Sequence, residues 1–245
     1  MSSDSQYLTT PVWGLARNLT VDFFMYPFEV MKLHQQRPGS TEKSYQIAQQ
    51  LFKTDGFPVF YRGFKQEIGK TCLKAFAWPM VIEIPRFLNR FDISPLMQQA
   101  MTGFTVGFVS AIVSTPLESR RIGAVAANTS YSLYKGFFTH LAKLSTAWMV
   151  FLVAQQQLRH RCLLYNQQEK LSTLQLAGIG TSVALLVSLA TAPFDVANTR
   201  KMGHNESTFK LPPRLWFRGM PLSAFVRVTN SIASVFFLDW INRTK

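Results

Sequence analysis

Acidic and basic side chains recur at a fixed spacing in three parts of the chain. In each part an acid follows a proline by two residues, and three residues later stands a base or, in the last part, an asparagine. The prolines are Pro27, Pro116 and Pro193, the acids Glu29, Glu118 and Asp195, and the third positions Lys32, Arg121 and Asn198. Residues three apart share one face of a helix, so a complete pair offers both signs of charge to neighbouring helices. The prolines are expected to bend their helices and bring these ends together. We therefore predict a ring of ion pairs that acts as a gate, since opening rehydrates the charges.

A second motif, an aromatic residue followed by a base and a glycine, also occurs three times. Its copies are Tyr61-Arg62-Gly63, Tyr134-Lys135-Gly136 and Phe217-Arg218-Gly219. Each copy is expected at a helix start, where free amides and the helix dipole favour an anion. The alternative, compatible with the first, is an aromatic and basic anchor at a membrane interface.

A further set of polar residues follows these glycines at a distance of twenty residues. It consists of Glu83, Gln156 and Asp239, and three residues beyond the first two stand Arg86 and Arg159. This set predicts a second, weaker gate in which hydrogen bonds replace some of the ion pairs. Features that recur three times in one order predict three structural repeats, residues 1–90, 91–165 and 166–245, within a single membrane domain.

The composition favours a membrane protein. Of the 245 residues, 47% are hydrophobic and only 16% are charged, and the formal net charge is +13. Six apolar stretches are long enough to span a bilayer, namely 10–34, 66–88, 98–121, 138–160, 174–198 and 220–242. Charged residues interrupt these stretches, and at such depth they must face a bundle interior or water. We therefore predict an all-α membrane protein with six transmembrane helices around a central water-filled cavity. The alternative, a soluble all-α protein, should have cleaner polar helix faces.

Other classes of function are disfavoured. The basic residues are spread through apolar stretches and form no basic stripe, which argues against binding of nucleic acid. Cys72 and Cys162 are too few for a disulfide scaffold, and the histidines have no metal-ligand spacing. No combination of residues predicts an enzyme, and we expect no metal or other cofactor. Residues 1–6 carry no Arg-rich presequence or signal peptide, so any targeting signal is expected within the fold.

The first repeat resembles the signature of the mitochondrial carrier family. It contains Pro27-x-Glu29-x-x-Lys32, then Asp55-Gly56, then Tyr61-Arg62-Gly63, and the resemblance extends over essentially the whole chain. The later repeats depart from the signature, because Asn198 replaces the base, the Asp-Gly pair is missing and the linkers are shorter. The resemblance implies a monomeric, multi-pass protein of the mitochondrial inner membrane. The alternative is the outer membrane or another organelle membrane.

The resemblance also implies roles for individual residues. Its ring order implies contacts of Glu29 with Arg121 and of Asp195 with Lys32, which leaves Glu118 facing the uncharged Asn198. Gln36, four residues after Lys32, is expected to brace one of these pairs. The aromatic–base–Gly triplets are implied to hold cardiolipin or another anionic lipid, with the charge supplied by Arg62, Lys135 and Arg218.

A substrate site is expected near the middle of the membrane, where transporters built from repeats place it. Seven residues past the three glycines stand Lys70, Lys143 and Val226, about 10 Å along each helix. These positions resemble the family's substrate contact points. Lys70 and Lys143 are the leading ligands, with Arg227 as a third, and buried cations imply an anionic substrate. The alternative is that each lysine snorkels or pairs within the protein.

Asp22 is the acid expected closest to these lysines, because it shares a helix face with Glu29. Three roles stay open for it. It neutralises Lys70, binds the positive end of a zwitterion, or carries a proton.

Two functions of different class follow. The first is transport of a small anionic metabolite, a nucleotide or a carboxylate, by alternating access, as in an antiporter. The second is a non-transporting scaffold or insertase with the carrier fold. Retention of Lys70, Lys143 and the complete first-repeat signature favours transport, whereas the missing base at Asn198 and the short linkers favour the scaffold.

Overall fold

A computed structural model describes residues 3–126, 132–166, 171–204, 212 and 215–243. In these ranges all regular secondary structure is helical. The α-helices are α1 (Ser3–Gln35), α2 (Ser44–Asp55), α3 (Phe64–Leu88), α4 (Pro95–Val125), α5 (Phe137–Asn166), α6 (Thr173–His204) and α7 (Met220–Arg243), and a short 3₁₀ helix covers Phe57–Tyr61. Each of the six predicted apolar stretches lies inside one of the long helices. The helices continue through Pro27, Pro116 and Pro193.

The six long helices form a closed ring. Each of the helices α3 to α6 packs against the next helix in the chain, and α1 packs against both α3 and α7. The short helix α2 lies beside α1 and the 3₁₀ helix, outside this ring. The arrangement leaves a cavity in the centre, and the charged residues that interrupt the apolar stretches line it.

Four of the described helices are long and apolar enough to cross a membrane. They are Pro95–Val125, Phe137–Tyr165, Thr173–His204 and Met220–Phe237. Large apolar side chains are exposed along these helices, among them Phe104, Leu189 and Phe225. Exposed apolar side chains of this size are suited to lipid. The protein therefore has an all-α fold of the membrane type.

Helices α3, α5 and α7 begin in the same way. Each follows a glycine with positive φ, at 83° for Gly63, 75° for Gly136 and 76° for Gly219. A side chain in this left-handed conformation is strained, so glycine allows the chain to turn sharply into the helix. The triplets predicted from the sequence thus stand at helix starts.

Two glycines set the distance between α4 and α5. A Cβ atom added to Gly103 would lie 2.6 Å from the backbone of Met149, and one added to Gly107 would lie 2.5 Å from the backbone of Ser145. The helices therefore touch through their backbones. Small residues four apart permit this approach in membrane helices, where van der Waals contact drives association.

We expect Gly107→Ala to lower the free energy of unfolding by about 2 kcal/mol, because the added methyl group would force α4 away from α5. Gly178→Ala is the matched control, since Gly178 is also helical and an added Cβ there meets nothing within 4 Å. Thermal or denaturant unfolding in detergent measures both. Equal stability of the two variants would contradict the role assigned to this contact.

Candidate functional site

The central cavity has a volume of about 580 Å³. Its charged lining residues come from five helices: Asp22, Glu29 and Lys32 from α1, Glu67 and Lys70 from α3, Glu118 and Arg121 from α4, Lys143 from α5, and Arg227 from α7. Apolar side chains such as Leu73, Val113 and Phe151 cover the remaining wall. The site is thus a mainly apolar chamber with a concentrated group of charges.

Lys70 lies between two carboxylates. Its Nζ atom is 2.7 Å from Glu67 Oε2 on the same helix and 2.6 Å from Glu118 Oε2 on α4. The Lys70 side chain is only 11% exposed, so both contacts are shielded from water. Lys70 therefore has a carboxylate partner within its own helix and one across the helix interface.

Asp22 does not pair with Lys70 in this structure. Its carboxylate accepts a hydrogen bond of 2.5 Å from the hydroxyl of Thr71, the residue after Lys70. Successive residues of a helix point about 100° apart, so Asp22 reaches Thr71 while Lys70 faces Glu118. Of the three roles left open for Asp22, neutralisation of Lys70 does not apply in this conformation.

Lys143 binds the acid that the ring order assigns to Lys32. Its Nζ atom is 2.8 Å from Asp195 Oδ1 and 3.7 Å from Glu118 Oε1. Lys32 instead pairs with Glu29 within α1, at 3.0 Å. The expected Asp195–Lys32 contact is therefore replaced, because Lys143 extends from α5 to the carboxylate and Lys32 finds an acid one turn away.

Arg121 joins three acids near the same end of the cavity. It lies 3.4 Å from Glu29, the contact that the ring order implies, and 3.4 Å from Glu118. It also pairs with Glu67. The guanidinium has donors in several directions, which lets one buried side chain bind carboxylates of α1, α3 and α4 together.

Glu118 does not face Asn198 as expected. Asn198 Oδ1 accepts a hydrogen bond of 3.2 Å from the Thr139 hydroxyl, and Glu118 turns to the bases Lys70, Lys143 and Arg121. Glu118 is 1% exposed. A buried carboxylate requires positive partners, and an asparagine supplies no charge, so the carboxylate follows the nearest cations.

Gln36 occupies a different place from the one implied by the resemblance. Its Nε2 atom donates to the backbone carbonyl of Arg218 at 3.0 Å, and its Oε1 atom accepts from the Thr199 hydroxyl at 2.8 Å. Gln36 is one turn beyond Lys32, which places it against the turn at Gly219. It therefore fastens α1 to α6 and to the start of α7.

Two cavity residues were missed in the sequence. Glu67 stands three residues before Lys70, and His140 stands three residues before Lys143, so each shares a helix face with a predicted ligand. His140 is 3% exposed, and its Nε2 atom lies 3.0 Å from Ser114 Oγ. The spacing to the lysines was the available signal for both residues.

The residues of the predicted second gate are arranged differently from the first set. Arg86 pairs with Glu83 on its own helix at 2.6 Å, and about two thirds of each side chain is exposed. Arg159 is exposed as well, whereas Gln156 and Asp239 are partly buried. The Glu83–Arg86 pair therefore lies within one helix in this conformation.

The triplet glycines pack against the ends of the proline-containing helices. Gly63 lies against Arg121 of α4, Gly136 against Met202 of α6, and Gly219 against Lys32 and Gln36 of α1. The bases beside them differ in environment, since Arg62 pairs with Asp55 at 3.0 Å. Burial, and then the nearby Arg200, lower the pKa of Arg218. A bound anion would relieve the repulsion between these two arginines.

We expect Arg121→Gln to destabilise the protein by about 4 kcal/mol, because it leaves buried carboxylates without their shared cation. Arg86→Gln breaks an ion pair that is 68% exposed and is expected to cost less than about 1 kcal/mol. Denaturant unfolding in detergent compares the two. A loss for Arg121→Gln as small as that for Arg86→Gln would show that the cluster is not a structural centre.

Comparison with known proteins is consistent with this arrangement. A family profile described as "Mitochondrial carrier protein" matches residues 3–88. The chain is 25% identical to the mitochondrial 2-oxodicarboxylate carrier of Bos taurus over 208 residues, which cover 73% of this chain and 69% of the relative. It is 22% identical to the carrier of the same name from Homo sapiens over 238 residues, which cover 85% and 79%. The profile, the relatives and the all-helical fold show that the chain is similar to mitochondrial carrier proteins.

Proposed function

We propose that the protein transports small dicarboxylates or related anionic metabolites across a mitochondrial membrane by alternating access. The observation that carries this proposal is the contact of Lys70 and Lys143, from α3 and α5, with one carboxylate inside the central cavity. Two ammonium groups that hold a carboxylate of the protein are suited to hold a carboxylate of a substrate. The names of the relatives, 2-oxodicarboxylate carriers, favour a dicarboxylate over a nucleotide.

The proposal includes an arrangement of six membrane-spanning helices in three repeats. The three glycine turns support it, because each has the same backbone conformation and packs against side chains of the proline-containing helices. Helices α1 and α3 carry more charge than the other four, and their charges Asp22, Glu29, Glu67 and Lys70 line the cavity. A helix whose charged face lines an aqueous chamber is able to span a membrane with an otherwise apolar surface.

The charge cluster is proposed as the gate at one end of the cavity. Glu29, Lys32, Arg121 and Glu118 link the ends of α1 and α4, and Asp195 holds Lys143. Opening this end requires the carboxylates to exchange partners or to be rehydrated, which costs little when water enters. The exposed Glu83–Arg86 pair is proposed to belong to the opposite gate, whose cross-helix contacts form when that side closes.

The triplet turns are proposed as binding sites for cardiolipin or another anionic lipid. Arg218 supports this, since it lies at a helix start beside Arg200 and has a lowered pKa. Free amides at the start of α7 would contribute to binding of a phosphate group. The protein is proposed to act as a monomer in the inner membrane.

The second candidate is a scaffold or insertase that does not transport. One observation favours it, namely that Lys70 and Lys143 are already neutralised by protein carboxylates. Uptake into proteoliposomes separates the two candidates. Transport of a labelled dicarboxylate supports the carrier, whereas no uptake and no ligand-induced stabilisation with dicarboxylates, nucleotides, phosphate and amino acids supports the scaffold.

We expect Lys70→Ala and Lys143→Ala each to reduce dicarboxylate uptake at least about tenfold, the usual effect of removing one charged ligand. Lys70→Arg should retain part of the activity because the charge remains, and Arg227→Ala should have a smaller effect. Lys53→Ala on the exposed face of α2 is the matched control. Wild-type uptake by the Lys70/Lys143 double alanine variant would refute the anion site.

Asp22 is expected to limit uptake through its charge. Among the described side chains no cation lies within 4 Å of its carboxylate, which accepts a hydrogen bond from Thr71, so its negative charge opposes an incoming anion. Asp22→Asn removes that charge and should raise uptake at neutral pH, whereas the exposed Asp92→Asn should not. Unchanged uptake by Asp22→Asn would exclude Asp22 from the site.

A further inference from the structure

The cavity offers no net positive charge to an anion. Four acids and five bases line it, and Asp195, which pairs with Lys143, brings the acids to five. Within the part of the chain that the structure describes, the formal charges of the site therefore sum to zero. A dicarboxylate entering this chamber has to compete with carboxylates that already neutralise the bases.

Among these carboxylates, Glu118 is the one that a substrate carboxylate would have to displace. It contacts both proposed substrate lysines, at 2.6 Å from Lys70 and 3.7 Å from Lys143, and thus bridges α3 and α5 from the side of α4. The other acids of the cluster each contact one of these lysines or neither of them, since Glu67 pairs with Lys70 and Asp195 with Lys143. Glu118 therefore lies where a substrate carboxylate would bridge the same two ammonium groups.

The sequence explains why Glu118 is available for this position. The equivalent acids, Glu29 and Asp195, each contact a base on another helix, Arg121 and Lys143 respectively. The residue that the ring order would place opposite Glu118 is Asn198, which has no charge and bonds to the Thr139 hydroxyl. Loss of that base removes a competing partner for Glu118, so its carboxylate turns towards the lysines.

We propose that Glu118 is an internal substitute for the substrate, which holds Lys70 and Lys143 in the empty carrier and is displaced when an anion binds. This inference rests on the proposed transport function and adds that Glu118 lowers the affinity of the site for its substrate. Displacement leaves Glu118 close to Arg121, 3.4 Å away, so its charge keeps a partner. On release of the substrate, the carboxylate returns to the lysines and keeps the empty cavity neutral.

Removal of Glu118 is tolerable for the fold, which makes the inference testable. Without it, Lys70 still has Glu67 at 2.7 Å and Lys143 still has Asp195 at 2.8 Å. Glu118→Gln therefore leaves neither lysine without an acid, while the summed charge of the site changes from 0 to +1. The substitution removes the carboxylate that contacts both lysines and leaves each lysine with one acid.

The experiment measures the KM for dicarboxylate uptake into proteoliposomes, and the Kd from ligand-induced thermal stabilisation in detergent. We expect Glu118→Gln to lower both about tenfold, as loss of a close competing charge would do. Asp22→Asn is the informative comparison, since it removes one negative charge from the same cavity without touching either lysine. It should lower KM less than Glu118→Gln does. Glu42→Gln, on a half-buried residue outside the central cavity, should leave KM unchanged.

A second variant keeps the inference testable if Glu118→Gln does not fold. Asn198→Lys restores a base at the ring position and gives Glu118 another partner, so it should also lower KM. A KM that is unchanged or raised in both variants, or a fall in Glu118→Gln that only equals the fall in Asp22→Asn, overturns the inference. Absence of uptake and of binding in wild type and all variants overturns the proposed function itself, and the inference with it.

Discussion

The structure depends on pairing most of the charges in the centre of the helix bundle. An ionisable group deep in a membrane is costly unless it meets an opposite charge or water. Here the partners come from different helices, with Lys70 of α3 on Glu118 of α4, Lys143 of α5 on Asp195 of α6, and Arg121 of α4 on Glu29 of α1. Arg227 of α7 adds a contact of 4.0 Å with Asp195, so ion pairs reach all six long helices of the described chain.

The basic groups make more ion-pair contacts than are needed to neutralise them. Lys70 and Lys143 each contact two carboxylates, and Arg121 contacts three. A group with two partners can lose one and remain compensated, so the pairs can be exchanged one at a time. A binding site for a charged solute requires this property, because the solute must enter a compensated site and leave a compensated site behind.

The packing contacts between α4 and α5 differ from these ion pairs. Gly103 and Gly107 bring the backbones of α4 and α5 together, and any separation of these helices loses many close contacts at once. Ion pairs in the cavity instead change partners through side-chain rotation, with the backbones in place. The charged cluster is therefore the element of this fold suited to rearrangement, and the glycine contacts hold the α4–α5 pair in place.

The sequence by itself determined several of the charged residues that line the cavity, although it missed Glu67 and His140. Helical spacing and threefold repetition located the apolar stretches, the glycine turns before α3, α5 and α7, and the charged positions Lys70, Lys143 and Arg121, because these follow from the chain's own periodicity. Periodicity along one helix does not fix the rotation and separation of its neighbours. Tertiary structure decided the partners, so that Lys143 took Asp195, Asp22 took Thr71 and Gln36 reached the Gly219 turn. A lysine or glutamate side chain has several reachable partners, and the close packing of helices in three dimensions selects among them.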